Sequence, residues 1–483
     1  MNTATSRAEH TAASTGEQQA PLRYRAMSST SSAACAAADG TADHSAQPSS
    51  LAQRQPLPPN AIGVDPRDPT SSLALRLRGK VDVAAVRTVL DVLLARHETL
   101  VGAAKAEPAL SVVDLTGEPD RLAEVLRAEL TLPWDPDRGP LLRILLVRSG
   151  RDEHLLALSA YRTVVDQRSM ELLATEFGAL YRAAVSAPDT VTTALPAPSA
   201  HYTDFSQWQQ ANLSDRAKAG RLAYWRKTLT ELPALELPTD RPRVAMRGTT
   251  GATHERVFPA QLNARLAEFT STEAVTLFSV LMTATQVLFG RRAHQSDVAV
   301  GTVASGRDEP ELAGLVGSFA STVLLRSQVD ECHSFWEILT EVSTNMRYAF
   351  ANAAAPLDRP ATGSPASTEA GPTEAGSAGA GSAGAGGRPL FDVLVLFRGA
   401  AALPRIFGGL RAEPVDLPTD TANVELTVEF EEREDSVRGR WNYRTELFDE
   451  STVAALATGL EQLLRIVLDE PDRALHTIEF AQN

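Results

Sequence analysis

From His154 to Tyr161 the chain reads His-Leu-Leu-Ala-Leu-Ser-Ala-Tyr, a short apolar run bounded by the polar turn Gly150-Arg151-Asp152-Glu153. That is the pattern of a buried strand. The period then changes: Met170, Leu173, Ala174, Phe177, Leu180 and Tyr181 fall three and four apart, the stripe of a helix packed on one face, with Ser169 placed to cap it. Arg162 to Gln167 is then a strand-to-helix connection, whose side chains project into a cleft rather than a core.

The two periods recur along the chain. The first set predicts a strand from Leu73 to Leu77, helices from Val83 to Ala95 and Arg121 to Leu130, and a strand from Leu141 to Val147, before the strand and helix above. A second set begins near Asp215, with helices from Ala274 to Phe289, Phe335 to Phe350 and Ser451 to Leu468. Its strands run from Val298 to Val303, Val323 to Leu325, Asp392 to Phe397, Glu425 to Glu431 and Arg438 to Tyr443. Repeated alternation at this length predicts two α/β lobes, over residues 48–212 and 213–483. Residues 1–47 are rich in Ala, Ser and Thr, bury too little to fold and are expected to be disordered. Residues 359–388, with Ser377-Ala378-Gly379-Ala380-Gly381, read as a flexible insertion within the second lobe.

Composition narrows the function classes. A chain of 483 residues with 43% hydrophobic content buries a large core. Its 46 basic and 60 acidic residues leave a charge of -14, which disfavours nucleic acid. Two cysteines, Cys35 and Cys332, make no disulfide framework, so a reducing cytoplasm is the expected compartment. No apolar run approaches the roughly 18 residues of a membrane span, and the first residues lack a signal peptide's apolar core. There is no Gly-x-Ser-x-Gly elbow, no phosphate-binding Gly-x-x-x-x-Gly-Lys-Ser/Thr loop and no Gly-x-Gly-x-x-Gly after a strand. The histidines are scattered with no metal-ligand spacing, so no metal is expected.

Several segments, in order, resemble the condensation domain of nonribosomal peptide synthetases. Ser50-Leu51-Ala52-Gln53-Arg54 resembles its opening Ser-x-Ala-Gln-x-Arg, and Arg96-His97-Glu98-Thr99-Leu100 its Arg-His-Glu-x-Leu-Arg. Tyr202-Thr203-Asp204-Phe205-Ser206-Gln207-Trp208 is similar to Tyr-x-Asp-Phe-Ala-x-Trp, and Tyr224-Trp225 with Leu237-Pro238-Thr239-Asp240-Arg241-Pro242 to a later pair. Val316-Gly317-Ser318-Phe319-Ala320-Ser321-Thr322 stands where the family has Ile-Gly-x-Phe-Val-Asn-Thr. The resemblance implies two chloramphenicol-acetyltransferase-like lobes in a V-shaped pseudo-dimer, with a substrate tunnel between them. It also implies acyl or peptidyl carrier proteins as partners, whose phosphopantetheine arm delivers the substrate, an amine or alcohol acceptor, and no cofactor of the protein's own. With Met1 opening a tail and Asn483 just beyond the last family-like segment, a separate, monomeric polypeptide that docks to its partners is expected.

The departures lie at the connection. The family has His-His-x-x-x-Asp-Gly there, with the second histidine read as a base or positioning group. This chain has Tyr161 and Arg162 at the histidine positions, keeps Asp166, and has Gln167 for the glycine. Arginine stays protonated and offers donors only, so Arg162 cannot be that base, although it can hold an anion or donate to a developing oxyanion. By resemblance Asp166 is structural, with Arg307 and Arg162 as candidate partners, and His97, Arg307 and Ser321 belong to the tunnel or its support. The later His-Gln-Asp-x-Pro-Phe element has no recognisable copy near Asn352 to Pro360. Two function classes follow. One is an atypical acyltransferase in which Tyr161, Arg162 and Gln167 position a thioester without a histidine base. The other is a noncatalytic module that recruits tailoring enzymes or gates carrier-bound intermediates. Arg162 pairing with Asp166 across the channel would favour the second, and an open passage past Tyr161 the first.

Overall fold

The computed structural model describes residues 70–101, 109–198, 200–212, 214–243, 248–353, 390–399, 403, 405–417 and 420–479. The tail 1–47 with Cys35, the motif at Ser50 to Arg54 and the insertion 359–388 lie outside the described residues.

Short apolar runs pair into two six-stranded mixed sheets. The first holds β1 (Thr70–Arg78), β2 (Ala109–Asp114), β3 (Leu142–Arg148) and β4 (Glu153–Tyr161). The second holds β5 (Gly251–Val257), β6 (Asp297–Ala304), β7 (Ser321–Gln328), β8 (Val393–Arg398), β11 (Leu426–Glu432) and β12 (Val437–Arg444), in the order β5-β12-β11-β8-β6-β7. Two further strands, β9 (Ile406–Phe407) and β10 (Leu410–Val415), follow β8 in sequence and yet complete the first sheet, whose order is β2-β3-β4-β1-β10-β9. Residues 406–415, on the second-lobe side of a boundary at 212/213, therefore belong structurally to the first sheet.

Helices α1 (Val83–Arg96) and α3 (Gln167–Ser186) cover one face of the first sheet, and α2 (Leu122–Thr131) the other. The seam between the lobes holds α4 (Tyr202–Asn212), which α5 (Asp215–Leu229) follows. Helices α6 (Ala260–Glu273), α7 (Leu277–Ala293), α8 (Phe335–Ala351) and α9 (Glu450–Asp469) pack into the second lobe's core. The helix expected from Ala274 to Phe289 instead spans Leu277–Ala293: Ala274 takes a left-handed conformation that ends α6, and Thr276 caps α7 by accepting from the Ser279 amide. A β-carbon in that conformation is strained, so the chain turns there rather than continuing. Helix α9 is long and apolar enough to cross a membrane by length and composition alone. Its Val453, Leu460, Leu463, Leu464 and Val467 are buried in the second lobe's core.

The crossover depends on a two-residue hairpin. Gly408 and Gly409 have φ of 52° and 94°, the left-handed pair that a tight antiparallel turn requires. Phe407 is fully buried, its ring 6.2 Å from that of Phe177. A β-carbon on Gly178 would lie 3.1 Å from the Phe407 ring, so the missing side chain makes room for it. Beyond β10, Asp416 reaches the second sheet: its Oδ1 accepts from Arg438 Nη2 at 2.9 Å and its Oδ2 from Nη1 at 2.6 Å. The hydrogen bond from Arg438, with the charges of Arg438, Arg440 and Arg433, outweighs burial and holds the Asp416 carboxyl below its ordinary value.

Two outcomes follow from this crossover. Phe407→Ala removes a buried ring between α3 and the sheet edge and should lower the unfolding free energy by about 3–5 kcal/mol, measured by urea denaturation. Because the Asp416 carboxyl titrates lower folded than unfolded, its stabilisation is present above about pH 4 and is lost as pH falls through the folded value. Wild type should exceed Asp416→Asn in stability at neutral pH, with the gap closing in acid. A gap that stays constant between neutral pH and about pH 3 would contradict this.

Candidate functional site

Strand β4 ends at Tyr161, and the chain turns back at once, with Val165 N donating to Tyr161 O at 3.2 Å. Asp166, not Ser169, caps α3: its Oδ1 accepts from the Ser169 amide at 2.8 Å. The expected cap at Ser169 is thereby corrected: the helix begins at Gln167, and Asp166 meets an orphan amide of its first turn. Gln167 becomes the exposed first residue of the helix.

Freed from capping, Ser169 is buried in the first turn and binds the other lobe. Its Oγ donates to Gly317 O at 2.8 Å and accepts from Gly317 N at 3.0 Å and from Arg307 Nη2 at 2.7 Å. Of the two candidate partners for Asp166, Arg307 reaches it, with Nη2 3.1 Å from Oδ1, while Oδ2 accepts from Phe319 N at 3.0 Å. Arg307 Nη1 donates to Leu312 O and Leu315 O at 2.6 and 2.8 Å, and the guanidinium lies 4.1 Å from the Phe319 ring centroid. Burial pulls the Arg307 guanidinium below its ordinary value, and the Asp166 carboxylate opposes that shift.

Arg162 donates from Nη2 to the Thr70 carbonyl at 2.8 Å. Thr70 is braced in turn, its Oγ1 accepting from Trp134 Nε1 at 3.0 Å. The Trp134 ring lies 6.2 Å from that of Tyr161, tilted by 43°, and the Arg143 guanidinium sits 3.7 Å over Trp134. Arg143 pairs with Glu129 at 3.1 Å. Burial pushes the Glu129 carboxyl up, against the pull of Arg143. The residues at both histidine positions are thus held by a wall of Thr70, Trp134, Arg143 and Glu129. The sequence reading above singles out none of these four residues. The available signal was Arg143, a lone charge within the apolar run Leu141-Leu142-Arg143-Ile144. A guanidinium here can donate to a carbonyl or an oxyanion, and it cannot accept a proton.

His97 stands in a different cluster. Its Nε2 is 2.6 Å from Glu176 Oε2, and Arg96 Nε is 3.2 Å from Oε1 of the same carboxylate. Burial raises the Glu176 carboxyl, and the His97 hydrogen bond with the charges of His97 and Arg96 outweighs it, leaving a net downward shift. These residues line a cavity of about 170 Å³ at the lobe seam, with Glu98, His201 and Glu311 at its other walls. Ser321 opens β7 opposite Ala304 and is half-buried. Asp166 and Arg307 are therefore brought together, Tyr161 and Arg162 share one wall, and His97 serves the seam cavity. Among the described residues no group of side chains suits a metal ion.

The model of the family described as Condensation domain matches residues 70–362. Phosphinothricin tripeptide synthetase PhsC of Streptomyces viridochromogenes is 32% identical over 83% of this chain and 37% of its own length. Malpibaldin synthetase of Mortierella alpina is 28% identical over 84% of this chain and 7% of its own. The chain thus spans well under half the length of either. The X-domain from teicoplanin biosynthesis superposes with a TM-score of 0.71 at 24% identity, covering 92% of this chain and 99% of that one. The first condensation domain of the calcium-dependent antibiotic synthetase does so at 0.65 and 18%, covering 90% and 99%. These likenesses establish the fold as two chloramphenicol-acetyltransferase-like lobes in a V. With the matched model spanning more than half of its length, the chain belongs to the condensation-domain family.

Proposed function

We propose that the protein acts on acyl or peptidyl thioesters carried on the phosphopantetheine arm of a carrier protein, in nonribosomal peptide or related secondary-metabolite biosynthesis, without a histidine base. The observation that carries this reading is Arg162 at the second histidine position, its Nη2 on the Thr70 carbonyl. A fixed guanidinium supplies donors for the thioester carbonyl as it gains negative charge, and the attacking group must arrive already nucleophilic. In such a transfer the amine nitrogen or alcohol oxygen of the acceptor bonds to the thioester carbon and the carbon–sulfur bond breaks. The pantetheine sulfur leaves as a thiol, taking up the proton the nucleophile loses. Tyr161 lines the same wall, and Gln167 at the exposed start of α3 is a contact for the arm. Asp166 and Arg307 hold the connection against the second lobe, with Ser321 in support.

A second reading, a noncatalytic module that recruits tailoring enzymes or gates the carrier, is favoured by the packing of Tyr161 against Trp134. That contact ties one histidine position into the wall. The X-domain from teicoplanin biosynthesis is also described in complex with OxyB.

The two readings separate by intact-protein mass spectrometry of pathway carrier proteins loaded with acyl groups, incubated with an amine or alcohol acceptor. Acyl mass should leave the carrier and appear on the acceptor with wild type. With Arg162→Ala the rate should fall about 10²–10³-fold, the cost of removing one donor to an oxyanion. Unchanged masses together with a carrier complex seen on titration would establish the recruitment reading. Neither transfer nor complex formation would overturn both.

A further inference from the structure

We propose that the seam cavity is a binding site for a small organic cation bearing a primary ammonium group, a site separate from the thioester chemistry above. The cavity draws its walls from both lobes: the end of α1 and Glu176 of α3 on one side, residues 310–316 on the other, with the approach to α4 between them. Its charges are unequal. Glu98, Glu176 and Glu311 line it, against the guanidinium of Arg96 and the imidazoles of His97 and His201. Arg96 and His97 are both spent on Glu176, which they hold in its ionised form. Glu98 and Glu311 are left without an ion-pair partner among the described residues.

The two carboxylates are held by different parts of the molecule. Glu98 Oε1 accepts from the Thr203 amide at 2.8 Å and from its hydroxyl at 2.6 Å, which fixes the side chain at the start of α4. Glu311 sits in the turn Pro310–Leu312, whose Leu312 carbonyl is held by Arg307. An ammonium group has three donors and one charge, and suits carboxylates presented from more than one direction. Leu315 and Val316 supply apolar wall for its hydrocarbon part, the usual make-up of a small-molecule site. An anion would meet three carboxylates against a guanidinium already paired and the imidazole of His201, so it is disfavoured. A cation seated between the lobes also contacts both, and therefore favours the lobe spacing that fits it. Gly314 lines the cavity, and a β-carbon built on it meets no atom within 4 Å, so the space beside it is open.

The test is isothermal titration of the full chain with n-butylamine, n-butanol and butyrate, which share a carbon chain and differ in charge. Saturable binding of the amine, with the alcohol and the acid silent, is expected. Glu311→Gln, on an exposed side chain, should weaken the amine about fivefold, the scale of one exposed ion pair, and Glu311→Lys should abolish binding. Gly314→Leu should fill the cavity and abolish binding while leaving the melting temperature of the free protein unchanged. Equal binding of the three probes, no saturable amine binding, or amine binding that survives both Glu311→Lys and Gly314→Leu would overturn the site. None of these outcomes depends on acyl transfer, so this site and the thioester reading stand or fall separately.

Discussion

The molecule depends on one buried polar knot at the seam between its lobes. Asp166 caps α3, pairs with Arg307 and takes the amide of Phe319, while Ser169 holds both the amide and the carbonyl of Gly317. A buried carboxylate is tolerable only when its lone pairs and charge are met, and here each oxygen has its donors. The consequence is geometric. The connection after β4 is pinned to the second lobe at several atoms, so the wall carrying Tyr161 and Arg162 is oriented by residues more than a hundred positions away. Cutting one partner out of such a pair typically costs about 3–5 kcal/mol, because it strands the other charge.

The knot works together with the β9–β10 crossover. The second half of the chain lends two strands to the first sheet and then returns, and Asp416 clasps Arg438 as it does so. The lobes are therefore joined by backbone pairing at one place and by side-chain hydrogen bonding at another. Both joints flank the region where the chemistry of the family is expected. The loss of the two histidines has left this scaffold in place, and the family's frame is filled by different residues: a tilted Tyr161–Trp134 pair, an Arg143 guanidinium over it, and Arg162 held on a strand carbonyl. Such a frame retains positioning and hydrogen-bond donation, and it has no proton acceptor at the second histidine position.

Much of the architecture is legible in the order of residues. The run from His154 to Tyr161 forms β4, and the stripe from Met170 to Tyr181 lies on the buried face of α3. The helix expected from Val83 to Ala95 spans Val83–Arg96, and that from Phe335 to Phe350 spans Phe335–Ala351. Where the pattern misleads, the local signal is weak or lacking. Gly408-Gly409 between apolar residues marks a hairpin, yet β9 before it has only two residues and is too short to show a period. Ala274 carries no helix-breaking side chain, and only its left-handed backbone ends α6.

The sequence by itself determined what is periodic or local: the strands, the helices, the two-lobe α/β class, the family, and the absence of histidine at the positions where the family keeps it. These follow from side-chain alternation and from residue identity, and neither needs a distant contact. Only the tertiary structure decided which arginine answers Asp166, what Arg162 holds, that Ser169 bridges lobes instead of capping a helix, and that His97 and Arg96 converge on Glu176 beside a cavity. Each of those pairs joins residues about 80 to 150 positions apart in the chain. Their meeting depends on how the sheets close and cross over, so no window of sequence contains it.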